Sequence, residues 1–441
     1  MAEELPIASD FALTLDWPDK PGTGGNPLVD ETVARVEMLV EGKSVTSYQS
    51  DRGDRGSHLP LPTYFVAEWL AQNWWALLYE PRKQEREDAE ADFRMRHWLG
   101  TARNGFALPD VLFAPTGEAI EITARPSYLR FARLNFTEAA SALVPREAVR
   151  ARLAAFVDAV VDRLRQKGVN GSDAQVAWSR VKSTSAEEEV YCRLIGSLGL
   201  CPYVDHPEID QALEKFSDNV SETMLADLCD AANVANFQRT AALTRKISTK
   251  LEKTVPVKVG KLIRASKPSD TRPRAYEWGY RATDVARKAL GIANDDPSGY
   301  RAFFDHLKLD FGQDVVADAD TSVPSLVSAA VVRHEDDMRL TVLGPTQAHQ
   351  KFAAARASFL TWSHERDASH LVTTAKTRPQ QASRAFAAEL LAPVQFLRKR
   401  LGEAKEVSPF ALDEVAGEIG VASSVVRYQV QNDGYFIAEA A

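Results

Sequence analysis

The chain has 441 residues, 45% of them hydrophobic and 9% aromatic, an ordinary globular composition that supports two or three cored domains. A formal net charge of −8 excludes a protein that coats nucleic acid or an anionic membrane with its whole surface, and leaves room for a local basic patch. The three cysteines, Cys192, Cys201 and Cys229, lack metal-ligand spacing and read as buried free thiols of a reducing cytoplasm. The first residues are acidic where a secretory signal is basic, and no window approaches a membrane span, so the expectation is a cytoplasmic protein with no membrane partner.

Taken in chain order, a Pro- and Gly-rich loop (17–27) precedes two short alternating runs, 34–40 and 44–48, which predict a hairpin. Residues 63–79 have helical periodicity, ending at Pro81, with Trp69, Trp74, Trp75 and Tyr79 read as core rather than as a stacking platform. The runs 111–113 and 119–123 flank a Pro-Thr-Gly turn as a second hairpin. Pro109-Asp110 and Glu121-x-Thr123 on it resemble the two-carboxylate layout of a Mg²⁺-dependent nuclease, with Thr123 where that layout has lysine.

From Phe131 to about Thr249 the pattern reads as helical, led by the amphipathic segment 145–164 with Pro145 suited to its first turn. Between Arg239 and Arg274 lie eleven basic residues against only Glu252 and Asp270. Arg245, Lys246, Lys250, Lys253, Lys258, Lys261 and Arg264 are the candidates for holding a phosphate backbone; a solvated linker, punctuated by Pro256, Pro268 and Pro273, is the alternative. Beyond it come a helix over 282–290, a helical segment at 302–307, and strand-like runs 327–332 and 338–343 around a charged turn. After Pro393, residues 412–430 have the helix, Gly turn and Ser-led second helix of a helix-turn-helix, with Arg427 and Gln429 as base-reading candidates.

Two segments between these landmarks carry the functional argument. Phe352-Ala-Ala-Ala-Arg-Ala-Ser-Phe-Leu360 opens an apolar helix, and Ser383-Arg-Ala-Phe-Ala-Ala-Glu-Leu-Leu-Ala-Pro393 reads as a second helix stopped by proline. The pair resembles the ImmA/IrrE family of zinc metallo-endopeptidases, in which the first helix carries Phe-x-x-Ala-His-Glu-x-x-His and the second Glu-x-x-Ala-Asn-x-Phe-Ala-x-x-Leu-Leu-x-Pro. The run 189–203 is similar to a sequence found upstream of the peptidase-like domain in larger members of that family. The resemblance implies a zincin-like C-terminal domain in which strands precede the helix of the metal motif, and which a helix-turn-helix-like element closes by packing.

A zinc peptidase needs two imidazoles one helical turn apart, a third ligand, and a carboxylate that takes a proton from the metal-bound water. In the register of the resemblance, Arg356 stands at the first histidine, Ala357 at the general base and Leu360 at the second histidine. Gln380 falls at the glutamate ligand and Arg384 at the usual asparagine. A fixed cation at Arg356 opposes a dication, so the expectation is a degenerate cleft with no cofactor. Core packing of both helices is the bland reading, and it too predicts no hydrolysis. Zinc is the alternative, through His364, Glu365 as base and His370; those histidines are six apart, about 120° off a shared helical face, so a loop would have to unite them.

The fold class is therefore predominantly helical α+β: an N-terminal α+β domain over 1–125, a helical domain over 126–250, a basic linker over 251–274, and an ImmA/IrrE-like domain over 275–441. The resemblance implies a catalytically silent pseudo-metallopeptidase that regulates or senses within a bacterial stress-response, toxin–antitoxin or antiphage system, through a protein partner encoded nearby. Arg356, Gln380 and Arg384 would line its altered cleft and pair with a carboxylate or phosphate on that partner. The alternatives are an active zinc peptidase cleaving a regulatory partner, and a nucleic-acid-binding regulator using residues 239–274.

Overall fold

Segments of period 2 alternate with segments of period 3.6 along the chain, and they build a mixed α+β architecture, about 52% helix and 20% strand. Its small sheets are antiparallel apart from one two-stranded parallel pair near the C-terminus. A computed structural model describes residues 10–18, 24–83, 87–217, 220–259, 262, 274–309, 325–363, 367–402 and 406–438. Contacts divide the chain into two units, Met1–Asp205 and His206–Ala441.

The N-terminal unit contains the first expected hairpin, with strand Val33–Val40 turning at Glu41 and Gly42, both at positive φ, into Lys43–Ser44. Its second arm is shorter than the sequence pattern suggests, because Tyr48–Ser50 leaves to pair with Leu134–Phe136 in another sheet. The expected helix over 63–79 is two helices, Tyr64–Gln72 and Trp74–Tyr79. They break at Asn73, whose side-chain amide donates to Trp69 O at 2.9 Å. Trp69, Trp74, Trp75 and Tyr79 are all buried, so they are core.

The second hairpin, Asp110–Pro115 with Ala119–Arg125, gains a third strand, Ala140–Pro145. That strand and Leu134–Phe136 correct the expectation of unbroken helix from Phe131: residues 140–145 alternate buried and less buried positions, a sheet period. The long helix Arg146–Gln166 follows, with Pro145 just before its first turn.

Helices Pro207–Ser217, Glu222–Ala231 and Phe237–Leu251, expected in a middle helical domain, pack within the C-terminal unit instead. Strand order there is Val257–Lys258, Asp337–Val342, Val327–His334, Asp367–Thr373, all antiparallel. Val257–Lys258 is thus a sheet edge and not a solvated linker. Neighbours of both parities are buried on the two inner strands and the far edge, Ala329 with Ala330 and Leu371 with Val372, so both faces of the sheet are covered. Helix Gln347–Ser363 lies on one face, and its residues Ala353 to Trp362 are buried all round, as expected of a helix inside a core.

Helix Arg378–Leu391 packs beside it, joined by Phe359 and Phe386 with ring centroids 5.5 Å apart. The helix expected over 282–290 begins earlier, at Ala275, and lies closely against Arg378–Leu391. Gly279 permits that approach, since a Cβ there would sit 2.3 Å from Ala382 O and 2.7 Å from Phe386 N. One turn on, Thr283 Oγ1 donates to Phe386 O at 3.2 Å, and a further turn on the buried Arg287 donates Nη2 to Leu390 O at 2.9 Å. Gly279→Ala, forcing a methyl against backbone, is expected to cost about 2 kcal/mol of the C-terminal unit's stability. The shift of its denaturant midpoint relative to wild type measures that.

Candidate functional site

The two helices singled out by sequence lie side by side, and a third element sits between their chain positions: strand Asp367–Thr373, at the edge of the sheet. No strand was expected there, only a loop that would have to unite His364 and His370. Its polar start and single histidine hide a run, Leu371-Val-Thr373, buried throughout. Being an edge strand, it presents the backbone groups of Leu371 and Thr373 away from its neighbour, and those groups need partners.

Side chains supply them. The Gln380 carboxamide acts as a substitute peptide group: its Nε2 donates to Leu371 O at 2.7 Å and its Oε1 accepts from Thr373 N at 3.0 Å. Asp227, from helix Glu222–Ala231, accepts Leu371 N on Oδ2 at 3.0 Å and lies 3.1 Å from His370 Nδ1. Thr373 O accepts from Arg356 Nη2 at 2.7 Å and from Arg384 Nη1 at 3.3 Å. The outward edge from Leu371 to Thr373 is closed by the protein's own side chains.

Arg356 is the centre of this arrangement. Its Nε donates to Ser383 Oγ at 3.0 Å and its Nη2 to Gln380 Oε1 at 2.8 Å, besides Thr373 O. Burial pushes the guanidinium pKa well below its ordinary value and nearby Arg384 pushes it the same way, while Asp227 acts in the opposite sense. The link to that carboxylate runs through Gln380, whose Nε2 reaches Asp227 Oδ1 at 3.3 Å. Arg384, half-buried, has its own pKa lowered by burial to about 10 and is anchored on Ala375 O at 2.8 Å.

The residues expected to line a cleft are therefore inside the fold. Ala357 and Leu360 are fully buried among the core apolar groups, Gln380 is 1% exposed and Arg356 5%. The carboxylate expected from a partner comes from this chain, as Asp227. No local pattern marks Asp227 in the sequence; the available signal was an arginine as the one charged residue of the mostly apolar run 352–362, which demands compensation somewhere in the fold.

These residues do not fit a zinc ion. Arg356 is cationic, Ala357 and Leu360 carry no donor, and the amide of Gln380 is spent on the strand edge. Among the described residues no group of three or more His, Cys, Asp and Glu comes together. Of the alternative set, His370 is on the edge strand beside Asp227, while His364 and Glu365 lie outside the described residues.

The other candidates fall elsewhere. Asp110 pairs with Arg125 across the N-terminal hairpin and Glu121 with Ala114, four residues along the strand, or roughly 13 Å. The two carboxylates cannot share a metal ion, and Asp110 accepts instead from Trp98 Nε1 at 2.7 Å. Gln429, proposed as a base reader, is buried: its Nε2 donates to Glu389 Oε2 at 2.7 Å and its Oε1 accepts from Tyr280 at 2.9 Å. Helices Pro409–Ile419 and Ser423–Asn432 form the expected pair, with the side-chain cap on the first helix (Ser408 Oγ from Ala411 N) and not on the second. Arg427 is ion-paired with Asp413 at 3.0 Å.

Of the basic candidates, Arg245, Lys246, Lys250 and Lys253 lie on or just after helix Phe237–Leu251, and Lys258 pairs with Asp337 on the sheet edge at 2.6 Å. Lys261 and Arg264 lie outside the described residues. Cys192 and Cys229 are buried, but Cys201 is exposed, in the turn after helix Ala186–Ser197. No helix among the described residues is long and apolar enough to cross a membrane. No family model, curated protein or solved structure matches the chain.

Removing Asp227 leaves a buried cation and an unpaired Leu371 N–H, so Asp227→Ala is expected to cost about 3 kcal/mol. Arg356→Met leaves Thr373 O and Gln380 Oε1 with their other donors and should cost within about 1 kcal/mol; combined with Asp227→Ala it should recover part of the loss. A double-mutant cycle on denaturant unfolding reads both. The pH response rests on Glu389, whose carboxyl burial pushes up to about 7, while hydrogen bonds from Val394 N and Gln429 act the other way. A raised carboxyl favours the folded state in full below its unfolded value near 4.5, and that contribution is lost as pH rises through 7. Between about pH 5 and about pH 8 the C-terminal unit should lose about 3 kcal/mol that Glu389→Gln does not lose, measured by denaturation at each pH.

Proposed function

We propose that the C-terminal unit is an ImmA/IrrE-like, zincin-like pseudo-metallopeptidase, catalytically silent, acting as a regulatory or sensing component of a bacterial stress-response, toxin–antitoxin or antiphage system through a protein partner encoded nearby. The observation that carries this reading is the buried Arg356 guanidinium bonded to the side chains of Gln380 and Ser383. In the register of the resemblance, arginine and glutamine stand where the family has a histidine ligand and a glutamate ligand. A positive charge in that position does in one residue what a metal does in an active relative: it draws oxygen acceptors from the neighbouring helix and the edge strand to one point. What it does not supply is an activated water, since Arg356, Ala357 and Leu360 offer neither metal ligands nor a general base.

Because the strand edge and former cleft are internally satisfied, a partner on this reading engages the outside of the unit rather than the old substrate groove. Hydrolytic activity is not part of the function.

Zinc titration of the full chain by calorimetry tests both halves of the reading. Wild type is expected to take up no stoichiometric zinc, whereas Arg356→His, Ala357→Glu, Leu360→His and Gln380→Glu combined should bind about one ion per chain. Tight uptake by wild type that His364→Ala with His370→Ala removes would establish the rearranged peptidase instead. A folded four-site variant that binds no zinc would count against the zincin-like frame.

A further inference from the structure

Helix Phe237–Leu251 belongs to a folded unit, and this changes the meaning of its charge. From Phe237 to Val259 the one acidic residue is Glu252, against Arg239, Arg245, Lys246, Lys250, Lys253 and Lys258. The apolar side of the helix is fixed inward, with Phe237, Ala241, Thr244, Ile247 and Leu251 buried. Its other side is exposed at Arg239, Arg245, Lys246 and, just past the end, Lys253. Among the described residues none of these four is ion-paired with a carboxylate, in contrast to Lys258, Arg398, Lys399 and Arg427 of the same unit. Exposed Arg339, on strand Asp337–Val342, is brought to the same end of the helix, donating Nη1 to Glu252 O at 2.7 Å.

Arg239, Lys246 and Lys253 follow one another at seven-residue spacing, about 20° apart in helical angle, and so form a row, with Arg245 about 100° round the helix from Lys246. At 1.5 Å per residue, Arg239 to Lys253 spans roughly 21 Å, about the axial length of six base-pair steps of B-form DNA. A cluster of like charges with no carboxylate ion-paired to it among the described residues repels itself, and a polyanion relieves that repulsion.

We propose that this face, Arg239, Arg245, Lys246, Lys253 and Arg339, binds the phosphate backbone of double-stranded DNA without reading sequence. Two features favour a duplex over other polyanions. The apolar side of the helix is buried in its own unit, which leaves it no face to insert into a bilayer. No aromatic side chain is exposed on the helix, which removes the stacking platform that single strands use. The binding is independent of the Arg356 site and of the pseudo-peptidase reading.

The test is fluorescence anisotropy of the full chain with a labelled duplex of about 20 base pairs across a salt series. About four phosphate contacts predict a log–log salt slope of about −3.6, hence roughly a hundred-fold loss of affinity between about 50 and about 200 mM salt. Arg245→Glu with Lys246→Glu should weaken binding at least about tenfold at the low-salt end and flatten the slope by about two. Arg245→Lys, keeping the charge, should bind as wild type. Both positions are exposed, and circular dichroism confirms that each variant is folded. Absent binding at low salt, full binding by the charge-reversed variant, or tighter association with duplex RNA, single strands or anionic phosphatidylserine vesicles than with duplex DNA would each overturn the proposal.

Discussion

An arginine cannot shed its charge at any ordinary pH, so burying one obliges the surrounding fold to supply acceptors and a counter-charge. Arg356 imposes that obligation at the middle of the C-terminal unit's central helix. Ser383, Gln380 and Thr373 O meet its hydrogen-bonding demand, and Asp227 supplies the charge through the Gln380 amide. Ser383 and Gln380 belong to helix Arg378–Leu391 and Thr373 O to the edge strand, while Asp227 brings in helix Glu222–Ala231 through the Gln380 amide, so three pieces of chain meet around one cation. The same side chains close the outward strand edge, which would otherwise invite another chain to pair with it.

A second polar system sets the opposite side of helix Arg378–Leu391. Gly279, Thr283 and Arg287 follow one another at intervals of four on helix Ala275–Leu290, and each matches a backbone feature of its neighbour: close approach, Phe386 O and Leu390 O. Glu389, Gln429 and Tyr280 tie in the C-terminal helix pair. Apolar packing alone tolerates sliding between helices, whereas these bonds are satisfied at one register only. The helix-turn-helix-like end is consequently part of the core, with the face that carries Gln429 turned inward. The exposed cations Arg239, Arg245 and Lys246 are on a different element, helix Phe237–Leu251.

Much of the frame was legible in the chain. The aromatic helix before Pro81 and both hairpins announce themselves by period, as do the strands 327–334 and 337–342 and the two helices around Phe359 and Phe386. Strands 134–136, 140–145 and 367–373 were less legible, because polar residues interrupt each short apolar run, at Asn135, Ser141 and Ser369-His370, and a few residues of alternation cannot be told from helix ends or loops. The assignment of residues 206–251 failed for a different reason. Helical periodicity says that one face is buried and is silent about what buries it, so these helices read as continuous with Arg146–Gln166 although they pack on the later sheet.

For the site, residue types along the chain fix what these positions can offer: arginine, alanine and leucine provide no set of ligands for a metal and no base for a water, whatever surrounds them. That Arg356 and Arg384 are turned inward onto Gln380, Thr373 O and Ala375 O, and that Asp227 answers them from more than a hundred residues earlier, was decided only when the chain folded. Covalent identity fixes what a side chain can donate or accept, and local periodicity fixes which way its helix faces. The partner it meets depends on contacts distant in sequence, which no local pattern encodes.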